Sequence, residues 1–267
     1  MKFTIFGYKG FIGSHIINYL ENQKISFDIA NPDNEEIFKK EMGHVIYSIG
    51  LTGDFRKRPY DTVEAHVCLL KKILSQGKFE SFLYLSSTRV YLKSQNTDED
   101  SELIVNPNKF DDVYNISKIL GESICIATNK KNIRIARISN VVGEKNNSDN
   151  LIGSIIHDIK NSLNEIQIEI NPESEKDYIY IDDVITLLMK ISLEGKEKIY
   201  NVGSGNNIKI KNIATEIQKI VNIKFNFSEN AEKQSFKKIN IKKIEKEFNF
   251  TPTNILQKLE CMLNDIK

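Results

Sequence analysis

Disulfide and metal chemistry are the first things this sequence leaves out. Its three cysteines, Cys68, Cys125 and Cys261, are scattered, with neither metal-ligand spacing nor a framework to staple a small domain. A reducing cytoplasm is the expected setting. An excess of one charge is missing too. The 37 Lys+Arg against 36 Asp+Glu leave a formal net charge of +1, which argues against a nucleic-acid partner held by broad phosphate neutralisation. No apolar run approaches the ~20 residues of a membrane helix, so no membrane partner is expected. The opening stretch MKFTIFGYKGFIG is broken by glycine too early for a signal-peptide core. What is present is ordinary globular composition, 40% hydrophobic and 27% charged over 267 residues. That composition excludes wholesale disorder, and the length suits one large α/β domain, or a domain with a small lobe.

Apolar runs alternate with segments of helical period. Strands are predicted at Lys2–Phe6, Ile25–Ala30, Val45–Ile49, Phe82–Leu85 and Ile133–Ile138. Between them fall helices at Phe11–Leu20, Glu35–Met42, Thr62–Leu74 and Asp112–Thr128. Strands separated by helices indicate βαβ units and a doubly wound parallel sheet, Rossmann-like, over residues 1–140. Residues 141–267 are mainly a small C-terminal α/β substrate lobe, with helices near Leu151–Ile159, Ile210–Ile220, Ile239–Phe248 and Asn254–Leu263. Two segments there, YIYI (Tyr178–Ile181) and YNV (Tyr200–Val202), are candidates for returning to the main sheet. Asp182 and Asp183 read as caps of the helix that follows, and the Lys-rich stretch 237–246 as a solvated helix face.

Gly7, Gly10 and Gly13 form G-x-x-G-x-x-G between the first strand and the first helix. A tight turn and close backbone approach need residues without a Cβ, and a helix N-terminus offers free N–H groups to a pyrophosphate. This predicts dinucleotide binding. The acidic residue expected after the second strand is not obvious. Asn31 stands near the place, with Asp28 before it and Asp33 beyond, so NAD and NADP both stay open.

Tyr114 and Lys118, in YNISK, form Y-x-x-x-K, and four-residue spacing sets them on one helix face. A free tyrosine titrates near ~10, and a nearby ammonium favours its phenolate. The strand FLYLSSTRVY ends in Ser86, Ser87 and Thr88, hydroxyls at the carboxyl edge where open α/β sheets bind ligands.

In the same order along the chain, GYKGFIGSH, HVIYSIG, LSSTRVY, YNISK, RISNVVG, EKDYIYIDDV and YNVGSG resemble the motifs of the extended short-chain dehydrogenase/reductases, in their nucleotide-sugar (NAD-dependent) epimerase/dehydratase family. The resemblance implies an enzyme that takes a nucleoside-diphosphate sugar between the cofactor domain and the C-terminal lobe. It places Gly7, Gly10, Phe11, Ile12, Gly13, Asn31, Ile49 and Gly50, with Tyr114 and Lys118, against NAD or NADP. Ser87, Tyr114 and Lys118 fall at the catalytic positions. Ser87, Thr88, Asn140, Asn150, Leu151 and Lys176 fall at sugar-nucleotide positions, Lys176 where the family carries arginine. By resemblance the chain is also a homodimer through a four-helix contact of Thr62–Leu74 and Asp112–Thr128.

Departures from the family pattern narrow the expectation. Between the second strand and Val45 there is room for only one short helix, which implies a deleted edge strand and an open adenine pocket. His66 stands at the start of the family's N-V-x-G-T motif and is read as a packed, satisfied histidine. Arg56 and Arg58, in LTGDFRKRP, are read as a solvated loop. Thr88 and Arg89 occupy positions that carry Asp-Glu in the 4,6-dehydratases, and Arg89 replaces the cysteine base of the GDP-fucose synthase type. Simple redox at C4 of a hexose remains. A 4-keto-sugar-nucleotide reductase is the leading reading, with a 4-epimerase holding NAD tightly as the alternative. A dinucleotide-binding scaffold or sensor without catalysis is the rival from another class.

Overall fold

A computed structural model describes residues 1–31, 34–144, 151–161, 164–228 and 230–264. The first half runs β1 (Lys2–Phe6), α1 (Phe11–Asn22), β2 (Ser26–Ala30), a 3-10 turn at Glu35–Lys39 and β3 (His44–Tyr47). A helical stretch follows as α2 (Pro59–Val63), a π turn (Glu64–Cys68) and α3 (Leu69–Gln76), then β4 (Ser81–Ser87), α4 (Val113–Ala127) and β5 (Ile133–Ile138). The remainder is β6 (Asn140–Val142), α5 (Leu151–Lys160), β7 (Glu165–Ile168), β8 (Glu175–Tyr180), α6 (Ile181–Glu194), β9 (Ile199–Val202), β10 (Asn207–Lys209), α7 (Ile210–Ile220), β11 (Lys224–Phe227), α8 (Lys242–Phe248) and α9 (Leu259–Asn264).

The central sheet is six-stranded and parallel, in the order β2-β1-β3-β4-β5-β9. Period-two alternation divides its side chains between two apolar layers. Phe3, Ile5, Ile46, Leu83, Leu85, Ala136 and Ile138 face one core, and Phe6, Val45, Tyr47, Phe82, Tyr84, Ile133 and Ile135 face the other. Coverage on both faces is why these strands read as unbroken hydrophobic runs. The chain reverses direction of travel across the sheet between β1 and β3, and the crevice at their carboxyl ends is where such a sheet takes a ligand.

Strand β2 is an edge strand. Only residues 31–43 separate it from β3, and among the described ones the chain forms a single 3-10 turn before returning. Pro32 and Asp33 lie outside the described residues. The segment Glu35–Met42, expected as a helix, tightens to Glu35–Lys39 because the short link must reach the next strand.

The YNV segment, within β9, lies in the central sheet, with Ile135 opposite Ile199. The YIYI segment does not. It lies mostly in β8, the middle of a separate three-stranded sheet, parallel to β6 and antiparallel to β10. The sides of β8 are therefore both taken within the lobe, and the main sheet ends on β9. Asp182 and Asp183 also depart from expectation. The residue before α6 is Tyr180, with no side-chain cap, and the Asp183 carboxylate instead accepts from Thr253 N and Oγ at 2.7 and 2.9 Å. Among the described residues no helix is long and apolar enough to cross a membrane.

Candidate active site

The glycine loop sits where β1 hands over to α1. Gly7 has φ +85°, and a Cβ there would lie 2.6 Å from the Ser48 carbonyl carbon. A Cβ on Gly13 would overlap Gly7 O. Loop and helix thus close on each other at distances only glycine permits. Gly10 precedes α1, whose first turn carries no acidic side chain. Residues Lys9–Ser14, at the N-terminus of this helix, line one end of a cleft of about 970 Å³, a setting that suits a pyrophosphate.

The cleft continues past Ile49 and Gly50 to Ser87, Thr88, Tyr114 and Lys118, and then to Asn140, Leu151 and Lys176. Six elements, α1, β4, α4, β6, α5 and β8, with the loop after β3, therefore bring most of the predicted site residues to one wall system. A separate cavity of about 200 Å³ lies at the end of β2, lined in part by Asp28, Asn31 and Asn34. The Asp28 carboxylate there is already paired with Lys2 at 2.6 Å. Asn150 lies outside the described residues.

Helix α4 presents Tyr114 and Lys118 one turn apart, both buried. The Tyr114 ring packs between Phe55 (centroids 5.1 Å) and His66 (5.3 Å, edge-on). Its hydroxyl faces that of Ser87, which accepts from Arg89 N at 3.2 Å. Burial pushes the Tyr114 pKa up, against the opposing pull of Ser87 and the Arg89 charge. Here the structure corrects the sequence reading, in which Lys118 lowers that pKa. The Lys118 ammonium donates to Leu85 O at 2.9 Å instead, because its long stem carries it past the ring to the end of β4. Tyr114 in this state is a proton donor.

Lys118 is itself displaced, pushed down to about 7 by burial, with the Glu122 charge opposing. The sign of the stability effect follows. Below about pH 7 the folded protein holds a buried ammonium that the unfolded chain would hydrate, and the cost is fully present. Between there and the ordinary value of 10.5, the folded form has released a proton that the unfolded form keeps, and the cost shrinks as pH rises. Lys118→Met should therefore raise Tm more at pH 6 than at pH 9, as thermal unfolding at both pH values can test. A gain that ignores pH would show that the charge is not what burial penalises.

His66 is fully buried and satisfied, as the sequence suggested. Ser117 Oγ donates to Tyr114 O at 2.9 Å, so it must accept from His66 Nδ1 at 2.8 Å. That leaves Nε2 to accept from Leu51 N at 3.3 Å. Burial, then the Lys118 charge, lowers the ring's pKa to about 2, which keeps the imidazole neutral. His66 sits in the π turn and ties the Leu51 loop to α4.

At the far end of the cleft, Asn140 Nδ2 donates to Asp177 O at 2.8 Å. The Asp177 carboxylate accepts from Ser204 N, Ser204 Oγ and Asn206 N at 3.0 to 3.1 Å, which fixes the turn after β9 to the lobe. Lys176 lies over the Phe236 ring at 5.3 Å, and burial lowers its pKa. Arg56 and Arg58 are committed to exposed ion pairs, with Asp111 at 2.8 Å and Asp61 at 2.7 Å. Sequence reasoning missed Phe55 and Phe236. Phe236 arrives from a segment with no motif, and nothing in the sequence marked it.

Compared with known proteins, residues 3–203 match the model of the NAD dependent epimerase/dehydratase family. The chain is 33% identical over 166 residues to dTDP-4-dehydro-6-deoxyglucose reductase of Escherichia coli. That match takes in 59% of this chain and spans about half, 51%, of the curated relative's length. Among solved structures, RMD from Pseudomonas aeruginosa complexed with NADPH superposes with a TM-score of 0.80 at 22% identity, over 99% of this chain and 97% of that one. UDP-glucuronic acid 4-epimerase from Bacillus cereus, in complex with UDP-glucuronic acid and NAD, gives 0.80 at 21% identity over 100% and 99%. At these identities the two structural likenesses show a shared fold.

Proposed function

The chain belongs to the NAD-dependent epimerase/dehydratase family, and on that premise we propose that it is an NAD(P)-dependent oxidoreductase that reduces the 4-keto group of a nucleoside-diphosphate hexose. The observation that carries this reading is the Ser87–Tyr114 hydroxyl pair, with Tyr114 held protonated by burial at the waist of the cleft.

The glycine loop fits a dinucleotide on the evidence of its backbone: the Gly10 N–H closes the turn onto Gly7 O at 3.0 Å, and the Phe11–Gly13 N–H groups of the first helical turn are available to the diphosphate. When bound, the nicotinamide supplies the hydride. The chain's own residues do the rest. Ser87 Oγ holds the C4 oxygen, and Tyr114 delivers a proton to it as negative charge develops. Lys118, anchored on Leu85 O beside Gly50, adds positive charge near that oxygen. Asn140, Leu151 and Lys176 support the nucleotide end of the sugar substrate. The edge position of β2 leaves the adenosine end open, which favours a dinucleotide that exchanges every turnover, and the partial likeness to a 4-keto-sugar reductase points the same way.

The test combines two measurements. Mass spectrometry of small molecules released on denaturing the purified protein is expected to find dinucleotide well below one per chain. Absorbance should then follow oxidation of NADPH or NADH, one per sugar reduced, on adding UDP- and dTDP-linked 4-keto hexoses. Stoichiometric bound NAD, with turnover that needs no added reductant, would replace reduction by 4-epimerisation. Failure to bind either dinucleotide would sink the enzyme reading itself.

A further inference from the structure

Among the described residues of the cleft wall, Arg89 has a buried N–H without an acceptor, and its neighbour Lys176, which lies over the Phe236 ring, is without an ion pair as well. Arg56 is held by Asp111, Lys118 by Leu85 O, and Asp177 by the turn at 204–206. Arg89 follows the catalytic hydroxyls directly. Its guanidinium lies 5.3 Å from the Phe55 centroid and 5.8 Å from that of Tyr114. Its Nε is buried without a hydrogen-bond partner, and no carboxylate among the described residues pairs with it. Burial, then the Arg56 charge, works against its positive state.

A desolvated guanidinium with an orphaned N–H is costly, and natural structures rarely keep one without a reason. Two features say what would satisfy it. It lines the cleft, so a ligand can reach it. It stands against the ring of Tyr114, and so beside the sugar carbon that is reduced, whereas the glycine loop that suits the cofactor diphosphate is on other elements.

We infer that the sugar accepted here carries an anionic group on a carbon adjoining the reacting one, a carboxylate in the simplest case, and that Arg89 is its counter-ion. This rests on the nucleotide-sugar reading above and narrows it to uronate-type substrates. A planar guanidinium engages a carboxylate through two parallel N–H donors, which a neutral hydroxymethyl or methyl group cannot match.

Calorimetric titration of the NAD-loaded protein compares UDP-glucuronate, UDP-glucose and UDP, and repeats the comparison with the thymidine diphosphate series. The uronate is expected to bind roughly 10- to 100-fold more tightly than the neutral hexose, the range of one charge-assisted hydrogen-bond pair. In Arg89→Met that ratio should fall to within about threefold, and Arg89→Lys should lie between. Circular dichroism and NAD binding by both variants check that they are folded. Equal affinity for the two sugars in the wild type would overturn the inference. So would an Arg89→Met variant that weakens both sugars and the free diphosphate alike, since that assigns Arg89 to the diphosphate. If NAD binds but no nucleotide or nucleotide sugar does, the nucleotide-sugar reading falls, and the inference with it.

Discussion

Replacing Tyr114 with phenylalanine is expected to cut kcat for ketone reduction by about a thousandfold, within the 10²–10⁴ range of a positioned proton donor, while weakening dinucleotide binding far less. The ring survives the change, so its packing on Phe55 and His66 is retained. What disappears is the hydroxyl beside Ser87, and with it the proton that neutralises the developing alkoxide. A loss confined to the transition state lowers kcat and kcat/KM together, with KM nearly unchanged. The pH profile of the wild type carries the same signature. Because burial raises the Tyr114 pKa, the donor stays protonated through neutral pH, so a first decline near pH 7 should report loss of the Lys118 charge and a second, on the alkaline side, the phenolate. Single-turnover rates and NADPH fluorescence titrations separate chemistry from binding. A Phe variant as active as the wild type would remove Tyr114 from the chemistry and bring the non-catalytic scaffold forward.

The features legible in the sequence are those whose physics is local. Glycines at 7, 10 and 13 announce a turn that a Cβ would block, and the contacts of Gly7 and Gly13 bear out that steric demand. Four-residue spacing sets Tyr114 and Lys118 on one buried helix face. Counting residues between β2 and Val45 was enough to expect a sheet one strand short, and the six-stranded sheet ends on β2. Long-range pairing left no such trace. Period and composition mark YIYI as a buried strand, yet β6 and β10 pair with β8 through backbone groups that any sequence carries. The destination of the Lys118 ammonium was hidden too, since a carbonyl on β4 competes with the tyrosine for it. Arg89 is visible as a charge in the sequence, but its lack of a counter-ion is a property of the packed cleft alone.

Beneath the catalytic strand, a second substitution is expected to act on stability. Glu122 and Arg137 are both buried, with Nη2 to Oε2 at 2.6 Å and Nε to the two carboxylate oxygens at 3.0 and 3.1 Å. Ser86 Oγ also donates to Glu122 at 2.5 Å, and Arg137 Nη1 donates to Tyr91 Oη at 2.6 Å and Glu99 O at 3.0 Å. Tyr91 passes the network on to Asn201 of β9 at 2.9 Å. The cluster therefore joins α4, β4, β5 and β9 directly below Ser87. Glu122→Gln keeps the shape but leaves the guanidinium without a counter-charge, at a cost of about 3–5 kcal/mol, a large part of the ~5–15 kcal/mol that holds a typical domain together. Urea unfolding at neutral pH should show the midpoint falling with the slope unchanged. The pair Glu122→Leu with Arg137→Met removes both charges and should recover most of that loss, since a buried ion pair roughly breaks even against apolar residues of similar volume. It would not restore the partners of Ser86 and Tyr91, so some deficit should remain. If Glu122→Gln alone proves nearly neutral, the Tyr91 hydroxyl and Glu99 carbonyl suffice for Arg137, and the carboxylate acts mainly by holding up the Lys118 pKa, which its charge raises.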